Sequence, residues 1–200
     1  YGGDTTVNAG TLALAGSGSI ASSPNVFVAD GATLDVSGLG GGLTLAAGQK
    51  LSLGGSGTTV NGAINTGSGA CSLVFDGTNP ALTVPSGGLT LSSTTVLGIT
   101  TSGAPLSPGT YKLIAKPAGG GGGSVSGTLP TYATVVSGAT TYKYAYALSI
   151  SGGELYLTVT ARDHCIVVMG SSVAHGYGSS SSTTVPNTLL NGSFTTGYAG

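Results

Sequence analysis

The sequence predicts an all-β fold: a β-solenoid (β-helix-like) of short strands with glycine corners, then a C-terminal β cap and an extended tail. Three observations predict it. Glycine accounts for 38 of the 200 residues, only 6% of the residues are charged, and apolar residues alternate with polar ones in short runs. Glycine supplies corners with positive φ, and alternation at period 2 places apolar side chains on one face of a strand.

A turn followed by a short alternating strand recurs through residues 1–94. The apolar positions that open these strands are Leu12, Leu34, Leu51, Leu73 and Leu89, in steps of 22, 17, 22 and 16 residues. One such strand face is too small to fold alone, so we expect the strands to stack at about 4.8 Å. Each buried Leu or Val then contributes roughly 1.5–3 kcal/mol. An antiparallel sandwich with glycine-rich hairpins is the alternative.

Three regions are expected along the chain. Residues 1–94 are the solenoid repeats, residues 95–160 the C-terminal β cap, and residues 161–200 the tail. The second region has longer, more aromatic strands, and the link Ser151-Gly152-Gly153 is a hairpin signal. A cap is expected there because the open end of a solenoid exposes unpaired strand edges.

Composition excludes several classes of function. The net charge is −1 and the five basic residues are scattered, so we expect no nucleic-acid partner. No apolar run approaches the length of a membrane helix, and we expect no membrane span. No cluster of residues has metal-ligand spacing, so neither a metal nor a cofactor is expected.

The repeats resemble the autotransporter-associated β-strand repeat of bacterial surface proteins. The matching stretches are Tyr1-Gly-Gly-Asp-Thr-Thr-Val-Asn-Ala-Gly-Thr-Leu12 and Asp30-Gly-Ala-Thr-Leu-Asp-Val-Ser-Gly38, and the stretch Leu148–Val159 is similar to the segment that closes such arrays. The resemblance implies secretion, a β-helical stalk and a bacterial cell-surface or extracellular location.

A second resemblance lies in the tail. The stretch Ile166-Val-Val-Met-Gly-Ser-Ser-Val-Ala-His-Gly176 is similar to the first block of SGNH (GDSL-type) hydrolases, which would make Ser172 the nucleophile. Ser171 stands where that family usually has Asp. The base and its orienting group, which a serine nucleophile requires, would lie beyond Gly200, and His164 and His175 are expected to be non-catalytic. We therefore expect no enzyme activity from these 200 residues.

The two cysteines, Cys71 and Cys165, are compatible with one disulfide, with two buried free thiols, or with an intermolecular disulfide between neighbouring subunits. The tail also contains a short apolar run that is a candidate for strand addition to an exposed sheet edge. The run consists of Cys165, Ile166, Val167, Val168 and Met169.

Two further residue sets have alternative interpretations. Four aspartates suggest calcium, but they lack the paired Gly/Asp pattern of calcium-binding β-rolls, which favours turn residues. These are Asp4, Asp30, Asp35 and Asp76. Three tyrosines on one strand face would suit a sugar-binding strip, although core or interface aromatics are the favoured interpretation. These are Tyr142, Tyr144 and Tyr146.

Together these features predict an extracellular structural protein: a stalk, or a self-assembling fibre or surface-layer subunit. Its expected partners are copies of itself, as a homo-oligomer or filament, and cell-surface glycans. The alternative is a fragment of a secreted SGNH-type carbohydrate or lipid esterase carried on a solenoid stalk.

Overall fold

A computed structural model of the chain describes residues 2–117, 119, 122–130, 133–137 and 144–161, together with 188–189 and 192–193. The chain divides into two compact units, Tyr1–Thr160 and Ala161–Gly200. The described residues form no helix, so none of them lies in a helix long and apolar enough to cross a membrane.

Residues 5–161 contain sixteen described strands. In chain order they are β1 (Thr5–Val7), β2 (Thr11–Ala15), β3 (Asn25–Val28), β4 (Thr33–Gly38), β5 (Leu43–Thr44), β6 (Lys50–Leu53), β7 (Thr59–Asn65), β8 (Ala70–Phe75), β9 (Leu82–Thr83), β10 (Gly87–Leu91), β11 (Val96–Thr101), β12 (Gly109–Ala115), β13 (Ser124–Gly127), β14 (Ala133–Val136), β15 (Tyr144–Ser151) and β16 (Glu154–Ala161). In the second unit, β17 (Thr188–Leu189) and β18 (Gly192–Ser193) form an antiparallel pair.

The first unit contains two sheets that the chain visits in turn. One sheet has six strands in the order β1-β3-β6-β8-β11-β14, and the other has ten strands. Every described pairing among β1 to β11 is parallel. The all-β prediction is therefore confirmed. The antiparallel sandwich is excluded for this region, because parallel neighbours cannot be joined by hairpins.

Apolar side chains stack in register through both sheets. In the six-stranded sheet one column consists of Val7, Val28, Leu53, Leu73, Ile99 and Val135. In the ten-stranded sheet an equivalent column consists of Leu43, Ile64, Leu89 and Val125. All of these side chains are at most 8% exposed. The columns form one apolar core between the sheets, and each side chain contributes roughly 1.5–3 kcal/mol.

The leucines that suggested the repeat are divided between the two sheets. Leu12 and Leu34 are register partners in the ten-stranded sheet, whereas Leu51 lies opposite Val26 in the six-stranded sheet. The irregular steps arose because the series moves between the two sheets. Successive partners within one sheet, from Val26 to Leu51, Cys71 and Leu97, are 25, 20 and 26 residues apart.

Glycine is required at positions where backbones of neighbouring strands approach closely. Gly62 and Gly87 are register partners, with φ of 98° and 72°. A Cβ atom on Gly62 would lie 2.5 Å from the backbone nitrogen of Ser37. Any side chain here would meet both an unfavourable backbone conformation and a collision with the adjacent strand.

Buried polar side chains hold other turns in place. Gln49 is 3% exposed, and its Nε2 donates hydrogen bonds to the carbonyl oxygens of Ile20 (2.9 Å) and Ser23 (3.0 Å). Its Oε1 accepts a hydrogen bond from the backbone N–H of Ala46 at 3.2 Å. Gln49 thus ties the turn before β6 to the turn before β3, and so keeps the strands stacked through their connections.

The pairing pattern changes after β11. β13 and β14 continue the parallel stacking on β10 and β11. β12 is parallel to β9 on one side but antiparallel to β16 on the other, and β15 follows β16 at the end of that sheet. Parallel pairing runs past residue 94 into β11, β13 and β14, so it marks no boundary there. The division into repeats (1–94) and cap (95–160) stays a prediction.

Candidate functional site

The residues that carried the hydrolase resemblance lie outside the described residues. These are Ser172, the flanking His164 and His175, and the strand-addition segment Cys165–Met169. The structure therefore provides no geometry for a serine nucleophile, and Ser172 stays a prediction from the sequence.

The aspartates act as hydrogen-bond acceptors in turns. Asp76 accepts hydrogen bonds from the backbone N–H groups of Thr78 and Asn79, both at 2.7 Å. The Asn79 side chain donates to its second oxygen at 3.0 Å. These bonds, with that of the Asn79 side chain foremost, hold the pKa of Asp76 below its ordinary value. Asp30 likewise accepts a hydrogen bond from Gly57 N–H at 2.6 Å.

Asp35 lies on the outer surface of β4. Its carboxylate accepts hydrogen bonds from the hydroxyl and the backbone N–H of Ser37, at 2.6 and 2.9 Å, and these lower its pKa. Its register partner Asn61 accepts a hydrogen bond from the hydroxyl of Ser86. In the part of the chain that the structure describes, no three His, Cys, Asp or Glu side chains group together to hold a metal ion.

A charged cluster joins β12 to β16. Lys112 Nζ lies 2.9 Å from Glu154 Oε2, and the Tyr156 hydroxyl donates a hydrogen bond to the same oxygen at 2.6 Å. The backbone N–H of Lys116 donates to Glu154 Oε1 at 3.2 Å. The hydrogen bonds from Lys112 and Tyr156 lower the pKa of Glu154 from 4.5 to about 2. So acidic a carboxyl is a weak general base at neutral pH, and the cluster acts as a clamp between two strands.

Cys71 is a buried free thiol in the six-stranded sheet, 1% exposed between Leu51 and Leu97 in register. Burial raises its pKa to about 12. An inaccessible, protonated thiol is unreactive, so Cys71 serves as a small core side chain. Cys165 lies outside the described residues, so the alternative of a disulfide with Cys71 is not tested.

The tyrosine strip is described in part. Tyr142 lies outside the described residues, and Tyr144 is placed only as the first residue of β15. Tyr146 is half-buried and packs against the core together with Leu148 and Ile150. Tyr146 is thus a core-facing aromatic residue.

A cavity opens beside the last described strands of the two sheets, β14, β15 and β16. It has a volume of about 300 Å³ and is lined by Leu129, Pro130, Ala133, Val135, Tyr146, Leu148 and Leu157. The Tyr146 hydroxyl oxygen is buried, and no described residue forms a hydrogen bond with it. Sequence reasoning missed this cavity. The alternation of apolar residues in β15 predicts an inward face, but it does not indicate what that face meets.

Comparison with protein-family models, with curated proteins and with solved structures finds no match to this chain. The resemblances to the autotransporter-associated repeat and to the SGNH block therefore stay predictions from the sequence.

Proposed function

We propose that this chain is an extracellular structural protein built as a β-solenoid, a stalk or a self-assembling fibre or surface-layer subunit. The observation that carries the proposal is the in-register parallel stacking of apolar side chains through the six-stranded sheet, from Val7 to Val135. In the proposed solenoid each turn places one strand in that sheet and one or two in the other, and the hairpin β15–β16 belongs to the cap.

Stacking of this kind suits a mechanical role. Each turn packs mainly on the turns next to it, so such a protein lengthens by adding turns and gains stability from each new contact. The described acidic side chains accept hydrogen bonds from neighbouring groups, as Asp76 does in its turn and Glu154 in the β12–β16 clamp. None of these arrangements presents the paired acid and base that hydrolysis requires.

The extracellular location is proposed from the resemblance of residues 1–12 and 30–38 to repeats of secreted bacterial surface proteins. The composition agrees with it, since uncharged Ser and Thr occupy outward positions such as Ser52, Ser72 and Thr134 in one register column.

Self-association is proposed from the ends of the six-stranded sheet. Among the described residues, β1 pairs only with β3 and β14 only with β11, so each has one unpaired edge. Unpaired edges accept strands from other chains. Addition of identical subunits in one direction does not close on itself and produces a filament.

Negative-stain electron microscopy and light scattering of the purified full chain, over a range of concentrations, test this proposal. We expect elongated particles that grow into filaments as the concentration rises. Monodisperse globules at every concentration would overturn it.

The esterase alternative is favoured only by the motif Ile166–Gly176 in the sequence. Hydrolysis of a short-chain nitrophenyl ester, compared between the parent chain and Ser172→Ala, tests it. Turnover that Ser172→Ala abolishes would establish the alternative, and equal rates would remove it.

A further inference from the structure

We propose that the tip of the hairpin β15–β16 is a guard on β13: it occupies the place of the next strand and prevents a strand of a second copy from pairing there. The tip consists of Gly152 and Gly153, the two residues between the strands. The inference rests on the proposed function, because it concerns which strand edges are open to self-association.

β13 is the last described strand of a parallel stack within the ten-stranded sheet. The stack runs from β5 through β7 and β10 to β13, and its inward column consists of Leu43, Ile64, Leu89 and Val125. A strand at the end of a stack presents N–H and C=O groups that accept a further strand. β13 has the sequence Ser-Val-Ser-Gly, without the charged residue or proline that protects many edge strands.

The hairpin tip contacts the side of β13 that faces away from β10. The N–H of Val125 donates a hydrogen bond to the carbonyl oxygen of Gly153 at 2.7 Å. A Cβ atom on Gly153 would lie 3.0 Å from the Cβ of Ser124, so the tip and β13 are in close contact. Since β10 pairs with β13 on the opposite side, Gly153 uses the edge that the next strand of the stack would use.

The residue after the tip is held independently. The Glu154 carboxylate lies 2.9 Å from Lys112 Nζ and accepts hydrogen bonds from the Tyr156 hydroxyl (2.6 Å) and the backbone N–H of Lys116 (3.2 Å). Lys112 belongs to β12, the strand that pairs with β16. The tip is therefore fixed from two directions, by β13 through Gly153 and by β12 through Glu154.

The course of the chain explains why the stack ends here. β7 pairs with β4 and β9 near its start and with β5 and β10 near its end, so it continues into the stack. β15 instead ends at Ser151, and β16 returns antiparallel to β12. A second copy is the partner that the tip excludes, because its own strands carry the same inward column and match β13 in register.

The two glycines of the tip provide a matched pair of variants. Both have positive φ, 60° at Gly152 and 78° at Gly153, and asparagine adopts positive φ more readily than most residues with a side chain. A Cβ on Gly152 meets no atom within 4 Å, whereas one on Gly153 presses against Ser124. Gly153→Asn therefore displaces the tip from β13, and Gly152→Asn leaves it in place.

Hydrogen exchange at Val125 of the full chain, followed by mass spectrometry, measures the contact. We expect exchange to be about tenfold faster or more in Gly153→Asn, because the N–H loses its acceptor, and within about twofold of the parent in Gly152→Asn. Sedimentation velocity over a range of concentrations measures association. We expect the associated fraction to rise severalfold in Gly153→Asn and not in Gly152→Asn.

A second substitution locates the association. Ser126 is an exposed residue of β13, and Ser126→Lys in the Gly153→Asn background places a charge on the edge strand, which opposes strand addition. Thr78→Lys in the same background adds the same charge at an exposed turn residue. We expect Ser126→Lys to return association to the parent level and Thr78→Lys to leave it raised.

Three results would each overturn the inference. They are equal exchange at Val125 in the two asparagine variants, no added association when Val125 exchanges faster, and equal effects of the two lysine substitutions. Circular dichroism verifies that the variants fold. If Gly153→Asn does not fold, Glu154→Gln takes its place, because it removes the carboxylate that holds the tip and adds no side chain to it.

The guard and the proposed function can fail separately. A parent chain that stays monodisperse, while Gly153→Asn associates through β13, would retain the guard and remove self-assembly by the parent. Filaments of the parent that Gly153→Asn leaves unchanged, although Val125 exchanges faster, would retain the assembly and remove the guard.

Discussion

Replacement of Val28 by alanine tests whether the apolar column supports the fold. Val28 is fully buried and lies in register between Val7 and Leu53. The substitution removes two methyl groups, at about 0.8 kcal/mol each in transfer free energy. The cavity left in a packed column adds to this, so we expect the free energy of unfolding to fall by about 2–3 kcal/mol.

Val96→Ala is the matched control. Val96 belongs to the same sheet but is 64% exposed on its outer face. The same chemical change there should alter the free energy of unfolding by about 0.5 kcal/mol or less, because no cavity forms.

The stability of both variants is measured by equilibrium unfolding in urea, followed by far-UV circular dichroism and by tyrosine fluorescence. Tyrosine is the fluorophore because the chain has no tryptophan. Equal losses of stability in the two variants would refute the reasoning, because the column would then contribute nothing beyond strand propensity. A loss confined to Val96→Ala would show that the two faces of the sheet are assigned the wrong way round.

Three further outcomes are expected. The pKa of Glu154 falls on folding from 4.5 to about 2, so the clamp with Lys112 contributes stability above pH 4.5 that is lost as the pH falls toward 2; acid titration of unfolding should show Glu154→Gln less stable than the parent at pH 7 and equal to it near pH 2. Gly62→Ala should lower the free energy of unfolding by more than about 2 kcal/mol. Gly10→Ala, with a similar φ of 70° but open space around it, should cost only about 1 kcal/mol. With the other cysteine replaced by serine, Cys71 should react with a thiol reagent only after unfolding, because it is buried and its pKa is about 12.

Each of these has a contradicting result. Glu154→Gln that keeps its deficit at pH 2 would show that the side chain acts through packing. Equal costs for Gly62→Ala and Gly10→Ala would show that the adjacent strand gives way without penalty. Labelling of native Cys71 at the rate of a free thiol would place it at the surface.

Much of the fold was accessible from the sequence because alternation is a local property. Leu34 and Leu51 were expected inside, and both are fully buried. Leu12 was expected to be equivalent to them, yet it is only half-buried, since β2 ends its column and is covered from one side. The glycine corners were also expected, and Gly62 and Gly87 show the backbone conformation that requires them.

The pairing of strands was beyond the sequence. Period-2 alternation looks the same in either sheet, so Leu34 and Leu51 could not be assigned to different sheets from their pattern. The partners of Leu51 are Val26 and Cys71, 25 and 20 residues away, and only packing selects those registers.

The sequence by itself determined that this chain is all-β and which face of most strands is buried, because both follow from local alternation and from glycine. Only the tertiary structure decided which strands pair and in which of the two sheets each strand lies. The reason is that each pairing joins residues far apart in the chain, such as Lys112 and Tyr156 in the antiparallel pair β12–β16, whereas the alternation within a strand is the same whichever partner it has.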